Sequence, residues 1–208
     1  MKDYDIIPLF AKPLYVSKLS LKEEDFLNLY NFSKKCFEDK NSNIENRSKS
    51  LSILKDENLL YLNNIIHEEL NNYTKNFLYY DNIFKITTSW FAIQKSDSPS
   101  NWHRHHNCMF SGVFYFNDGN SPLNFIQYDN SNGFVLLPTK INSLNNSDFS
   151  SFHPEKGNLL IFPSNIYHAI GKTSKNRYSL AFNAIPTGNF GFEDSQLNLN
   201  YDSDNYYE

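Results

Sequence analysis

The chain has 208 residues, a formal net charge of −4, and a composition that is 40% hydrophobic and 16% aromatic. That length fits one domain with a real core, and the charge offers neither the basic field that nucleic acid requires nor an acidic block. No apolar run approaches the roughly 20 residues of a membrane span. The two cysteines, Cys36 and Cys108, make no disulfide framework, so the expected setting is a reducing cytoplasm, that of the host if the source is viral.

The opening, MKDYDIIPLFAKP, carries charges and a proline where a secretory leader needs an apolar run. Residues 20–23, SLKE, have capping-box spacing, and Phe26, Leu29, Tyr30 and Phe37 follow at helical intervals, predicting a first helix. After the polar NSNIENRSKS, a second helix is predicted from Leu59, Leu62, Ile66, Leu70, Tyr73 and Phe77, which form one apolar stripe. Such a stripe needs a surface to cover, most simply a sheet face. From Phe84 the pattern turns to strands: FKITTSWFAIQ, MFSGVFYFN, PLNFIQYD, GFVLLP, GNLLIFP and RYSLAFNAIP. NDGNSP, PEKGN and Pro163 supply turn signals. The polar stretch 139–153 is expected to be a long loop beside a barrel mouth.

Helices first and strands after, without βαβ alternation, argue for an antiparallel barrel or double-sheet jelly roll with helices packed outside. The expected organisation is a single domain over 1–208. Within it, 1–83 form an N-terminal strand and supporting helices, 84–187 the jelly-roll core and 188–208 a loose acidic tail.

In NWHRHHNCMF, residues 101–110, an extended backbone projects His103 and His105 together and turns His106 away. Two imidazoles on one face can hold a divalent ion from one side, but H-x-H alone is a weak signal, since histidines on a polar surface are common. His168 follows the apolar NLLIFP and a proline turn, and is either a core histidine satisfied by a carbonyl or a third ligand. Arg177 lies on one strand face with Ser179, Ala181 and Asn183. An arginine turned into a small barrel needs an anionic partner, and a bound anionic ligand would serve. Cys108 reads as a small buried hydrophobe, and Trp90 and Trp102 as packing residues or as the lining of a mouth. His67 reads as a solvated residue on the second helix, and His153 has no partner.

Taken together, HRHHNCMFSGVFYF, GNLLIFPSNIYH and RYSLAFN, in this order over about residues 84–187, resemble an uncharacterised bacterial and phage subgroup of the 2OG-Fe(II) oxygenases. The opening IIPLFAKPLYVSKL is also similar to the N-terminal strand of that family. The resemblance implies a mainly β double-stranded β-helix, cupin-like, with flanking N-terminal helices. It implies Fe(II) held by His103, His105 and His168, and 2-oxoglutarate held by Arg177 and Ser179. Tyr115 is then either a hydroxyl donor to that cosubstrate or an ordinary core aromatic. The implied reaction hydroxylates a substrate with O2, releasing succinate and CO2. A protein side chain, a nucleobase and a small metabolite all remain open as substrate. One departure stands out. Most relatives place Asp or Glu where His105 stands, so either His105 is a true ligand or Asp118 or Asp129 takes that place. The alternatives are a three-histidine dioxygenase of cupin type that needs no 2-oxoglutarate, and a catalytically silent metal-binding or structural module.

Overall fold

In the computed structural model, which describes residues 12–96, 99–127, 140–141, 143 and 147–201, the strand alternation resolves into two antiparallel sheets. Chain order begins with β1 (Tyr15–Lys18), α1 (Glu23–Glu38), β2 (Asn43–Ile44) and β3 (Arg47–Ser48). Next come α2 (Leu60–Asn71), which runs on as a π-helical turn over Asn72–Phe77, and β4 (Ile83–Gln94). The remaining strands are β5 (Phe110–Tyr115), β6 (Leu123–Ile126), β7 (Phe149–Phe152), β8 (Asn158–Pro163), β9 (Tyr167–Ile170), β10 (Arg177–Phe190) and β11 (Leu197–Leu199). The larger sheet has the order β1-β8-β5-β10-β4-β3-β2, with β11 added to the end of β10, and the smaller has the order β7-β6-β9. This is the double-sheet jelly roll expected from the strand pattern, and the double-stranded β-helix that the family resemblance implies.

The α1 start differs in detail from the capping box predicted over Ser20–Glu23. It is Asp25 that accepts the backbone N–H of Lys22, at 3.1 Å, two residues further along. Phe26 and Leu29 of α1, and Leu62, Ile66, Leu70 and Tyr73 of the second helical stretch, are buried against one face of the larger sheet. They meet Phe91, Phe110, Phe114, Leu159, Ile161, Leu180 and Phe182 there. At about 1.5–3 kcal/mol per buried large apolar side chain, this layer dominates the stability of the fold. Phe77 closes the predicted stripe but is exposed, because the wider π turn carries it off the 3.6-residue register.

The opposite face of the same sheet looks into the sandwich. There Tyr115, Leu160 and Phe162 meet Leu123 and Phe125 of the smaller sheet. Period-2 alternation sorts each strand between these two cores, so Tyr178, Leu180 and Phe182 turn to the helices while Arg177, Ser179, Ala181 and Asn183 turn inward.

One irregularity controls what faces inward. Asn183 pairs with Thr88 but the next residue, Ala184, pairs with Ile86, leaving Thr87 as an extra residue in β4. Phe84 and Ile86 pack on the helix side, so without this bulge Thr88 and Trp90 would follow them there. The extra residue reverses the phase and aims both into the sandwich.

Three segments depart from their expected form. Within 139–153, expected to be a loop, residues 149–152 form β7, an edge strand paired with β6. Its FSSF pattern lacks the apolar alternation that would mark it in sequence. The tail expected to be loose instead folds back at 197–199 onto β10, and the Tyr201 hydroxyl donates to the Thr87 carbonyl at the bulge. His67, expected to be solvated, is half-buried and its Nδ1 meets the Asn63 carbonyl at 3.0 Å. The predicted GFVLLP strand and Asp129 lie outside the described residues. Among the described residues no helix is long and apolar enough to cross a membrane.

Candidate metal centre

The segment carrying His103 and His105 crosses from one sheet to the other. His103 forms an isolated antiparallel bridge with His168 of β9, extending the smaller sheet. Two residues on, the His105 N–H donates to the Ser164 carbonyl at 3.0 Å, and the Ser164 N–H donates in turn to Met109, just before β5. The H-x-H stretch is thus pinned at both ends, and its alternation turns both rings to one side. The three imidazoles offer ligand atoms that all lie within 4.8 Å of one another. Small side-chain rotations close that spacing to the roughly 3 Å ligand edge of a metal site with bonds of about 2 Å.

His106 is exposed and stands outside the cluster. No carboxylate joins the cluster among the described residues. Asp118 lines an outer groove beside α1 with Phe26, Tyr30 and Lys156, on the other side of the sheet, which removes it as the alternative ligand.

Each imidazole is oriented through Nδ1. His103 meets the Asn101 carbonyl at 2.9 Å, and His168 meets the Ile166 carbonyl at 3.0 Å. His105 meets Asn183 Oδ1 at 2.6 Å and Ser111 Oγ at 2.9 Å. A ring that donates from Nδ1 keeps its lone pair on Nε2, as a metal requires. Burial reinforces that state. It pushes His168, only 5% exposed and edge-on to the Phe162 ring at 4.9 Å, down to about 3. Burial likewise lowers His105, against the opposing effect of the Asn183 hydrogen bond. Both rings are therefore neutral at pH 7, while His103 stands exposed at the mouth.

Arg177 lies deeper along the same inner face. It is 2% exposed, its guanidinium sits 4.3 Å over the Tyr115 ring, and its Nη1 donates to the Ser121 carbonyl at 2.6 Å. Its Nη2, the Tyr115 hydroxyl and Ser121 Oγ are buried with no hydrogen-bond partner. Burial pushes the guanidinium below its ordinary value and the Tyr115 phenol up to about 12. Ser179, also buried, pairs across to Tyr115 on β5. The seat is shaped for the arginine, since a Cβ on Gly119 would come 2.3 Å from Arg177 Cδ. A buried cation with an orphaned N–H beside two orphaned hydroxyls is costly unless an anion completes it. A carboxylate fits that donor set.

Between the two ends, Ala181 faces Val113, leaving a small-residue floor from Ser111 and Asn183 to Tyr115 and Ser179. Four residues of strand separate those rungs, roughly 13 Å.

Trp90 stands half-buried beside His105, with ring centroids 5.8 Å apart, so it lines the site rather than the main core. Trp102 is exposed and meets Phe149 edge-on at 6.4 Å. Cys108 is half-buried and forms no disulfide. The polar groups behind the three imidazoles, Ser111, Ser164, Thr88 and Asn183, do not stand out in sequence as parts of a site. Their signal is polar residues on the inward phase of otherwise apolar strands.

Fold and site together define a β-helix protein with a three-histidine cluster and a buried arginine. Residues 88–183 match the sequence model of the family described as "Putative 2OG-Fe(II) oxygenase". The fold of the chain is similar to that of a Pseudomonas putida prolyl-4-hydroxylase, at TM-score 0.54 and 17% identity over 83% of this chain and 92% of the other. AviO1 from Streptomyces viridochromogenes Tue57 aligns at TM-score 0.58 and 13% identity, covering 84% and 90%. HygX from Streptomyces hygroscopicus, solved with nickel and 2-oxoglutarate bound, aligns at TM-score 0.57 and 10% identity, covering 85% and 83%. These similarities are in fold. No curated protein matches the sequence significantly.

Proposed function

We propose that the protein is a single-domain Fe(II)- and 2-oxoglutarate-dependent hydroxylase. In this reading His103, His105 and His168 hold the iron through Nε2, while Arg177 pairs with the far carboxylate of 2-oxoglutarate. Ser179 and Tyr115 add hydroxyl donors to that carboxylate. The observation that carries the reading is the buried guanidinium with an unpaired Nη2 beside unpaired hydroxyls, on the same inner face as the triad's support. Lying along that floor, a dicarboxylate would offer one end to the cation and the other to the metal. Iron and 2-oxoglutarate supply the oxidising chemistry, in which O2 is consumed, succinate and CO2 leave, and a substrate C–H becomes C–OH.

The chain's own part is to position and to exclude water. Burial keeps His105 and His168 neutral and ready to bind. Phe125, Phe162 and Leu160 wall the inner face, which strengthens the Arg177–carboxylate attraction by lowering the local dielectric. The exposed edge at His103 is the side from which a substrate would approach. The free thiols of Cys36 and Cys108 support a reducing compartment, the cytoplasm.

The absence of a carboxylate from the cluster among the described residues favours one second reading, a three-histidine dioxygenase that needs no 2-oxoglutarate. The deciding experiment is succinate release from 2-oxoglutarate by the full chain, with and without added Fe(II). Iron-dependent succinate supports the first reading. An iron-loaded protein that neither binds nor consumes 2-oxoglutarate leaves the second.

A further inference from the structure

We propose that Asn183 is the positioning residue of this centre, its side-chain carbonyl fixing His105 in the Nδ1–H tautomer and so aiming the Nε2 lone pair at the metal. The inference rests on reading the triad as a metal centre.

His105 is the odd member of the three. His103 and His168 each face a backbone carbonyl two residues upstream. A carbonyl only accepts, so those two tautomers are set by the main chain. His105 instead faces two side chains, Asn183 Oδ1 at 2.6 Å and Ser111 Oγ at 2.9 Å. A serine hydroxyl can donate or accept, and an amide can present either its oxygen or its NH2. The His105 tautomer is therefore only as secure as the orientation of the Asn183 amide.

Thr88 anchors the other end of the amide. Asn183 Nδ2 donates to Thr88 Oγ1 at 3.0 Å, with Oδ1 on the side of the ring. Ser111 reinforces the arrangement, its Oγ lying 2.9 Å from both Asn183 Oδ1 and Ser164 Oγ. Thr88 faces inward because of the extra residue in β4, where the pairing shifts after Asn183. The chain of causes runs from one bulge residue to a threonine, then to an amide, and ends at a lone pair. With the amide turned over, Nδ2 would face the ring, Nδ1 would have to accept, and the proton would move to Nε2, where it blocks a metal.

The support is also neutral. No carboxylate lies in the cluster among the described residues, and the group behind His105 is an amide. Asn183→Asp would put an anion there without moving the acceptor, and acceptors of this kind raise the basicity of a ligating imidazole.

The test uses the full metal-free chain, with Ni2+ titration by calorimetry and long-range 1H–15N spectra that read the imidazole tautomers. Wild type is expected to show His105 protonated on Nδ1. Asn183→Leu is expected to mix the tautomers and to weaken Ni2+ binding about 10–100-fold, as loss of an orienting partner does. Thr88→Val, nearly isosteric, is expected to shift the tautomer and weaken Ni2+ in the same direction while the thermal midpoint stays close to wild type. Asn183→Asp is expected to keep the Nδ1–H form and to bind Ni2+ at least as tightly as wild type.

Wild-type affinity in both Asn183→Leu and Thr88→Val, with binding lost in His105→Ala, overturns the role of Asn183 and leaves the metal centre standing. A wild type that binds no Ni2+ overturns the metal-centre reading instead. The tautomer spectra then still decide the positioning role, which an Nε2–H His105 in wild type overturns. If Asn183→Leu fails to fold, Thr88→Val and Asn183→Asp carry the test.

Discussion

His103 and His168 hold each other through the main chain: each donates its N–H to the other's carbonyl, at 3.0 and 2.8 Å, and their rings lie 4.4 Å apart. The imidazoles therefore ride on a bridge that does not need them. His103→Ala is expected to abolish Fe(II) or Ni2+ binding while leaving stability within about 0.5 kcal/mol, since its side chain is exposed. His168→Ala should abolish binding too, but at a cost of about 2–4 kcal/mol, because its ring fills space against Phe162. Calorimetric titration with metal and chemical denaturation of the apo protein separate the two effects. Retained metal affinity in both variants would remove these residues from the centre.

At the carboxylate-replacing position, His105→Asp is expected to bind Fe(II) as tightly as wild type or more tightly, because an anionic oxygen ligand offsets the metal's charge. His105→Ala should bind weakly. Equal affinities across wild type, Ala and Asp in calorimetry would show that position 105 is not a ligand.

Much of this arrangement is legible in the sequence. The alternation of RYSLAFN by itself sorts Arg177 and Ser179 from Tyr178 and Leu180, because a strand has only two faces. His103 and His105 share a side for the same reason. The bulge at Thr87 is not legible, since an extra residue leaves composition and spacing intact and shows only against the partner strand. For the same reason nothing in sequence puts Thr88 beside Asn183 or Trp90 beside His105. β9, which carries His168, is four residues long and is held by partners 41 residues or more away along the chain in β6 and at His103. Local pattern does not register such pairings. The burial of His67 is hidden as well, because tertiary packing covers a helix face that the stripe of apolar residues does not announce.

His67 gives a pH dependence with a definite sign. Burial lowers its imidazole below the ordinary value, against the Asn63 carbonyl bond, and Lys85 lowers it further. The unfolded chain therefore takes up this proton first, near pH 6.5, and stability rises with pH through the window between the folded value and about 6.5. The contribution is complete above that window and is lost as pH falls through it. His67→Gln should shrink the stability difference between pH 7.5 and pH 5, measured by urea denaturation of the apo protein. His105 and His168 titrate in both proteins and cancel in the comparison. An unchanged difference would mean that His67 is solvated after all.

Gly119 tests the arginine seat without touching a polar group. Its missing Cβ leaves the space that Arg177 Cδ occupies, 2.3 Å from where a methyl would lie. Gly119→Ala should displace the guanidinium and weaken 2-oxoglutarate binding, with an overpacking cost of about 1–3 kcal/mol. Metal affinity should be unchanged, since the triad is held by other segments. An intact 2-oxoglutarate affinity would place that ligand elsewhere.

Arg177 carries the sharpest expectation, because its two roles pull in opposite directions. In the free protein it is a buried cation with one satisfied N–H direction, to Ser121, and an orphaned Nη2. Replacing even paired buried charges by well-packed apolar side chains of similar volume is often neutral or stabilises a fold by about 1–4 kcal/mol. Arg177→Met should therefore raise the thermal midpoint of the apo protein. The same change should remove the counter-charge for the far carboxylate of 2-oxoglutarate. Truncating one partner of a desolvated bidentate pair costs about 2–5 kcal/mol, more than tenfold in affinity. Arg177→Lys should fall between, since a single ammonium keeps the charge but not the planar fork. Ni2+ affinity should be nearly equal in all three proteins, because residue 177 is not a ligand. The measurements are thermal unfolding, Ni2+ calorimetry and 2-oxoglutarate calorimetry on the Ni2+-loaded protein. A stabilised Arg177→Met that no longer binds 2-oxoglutarate is the expected result, stability having been given up in the native chain for an anion site. A destabilised Arg177→Met that binds 2-oxoglutarate normally would make Arg177 a structural residue and favour the three-histidine dioxygenase that works without it.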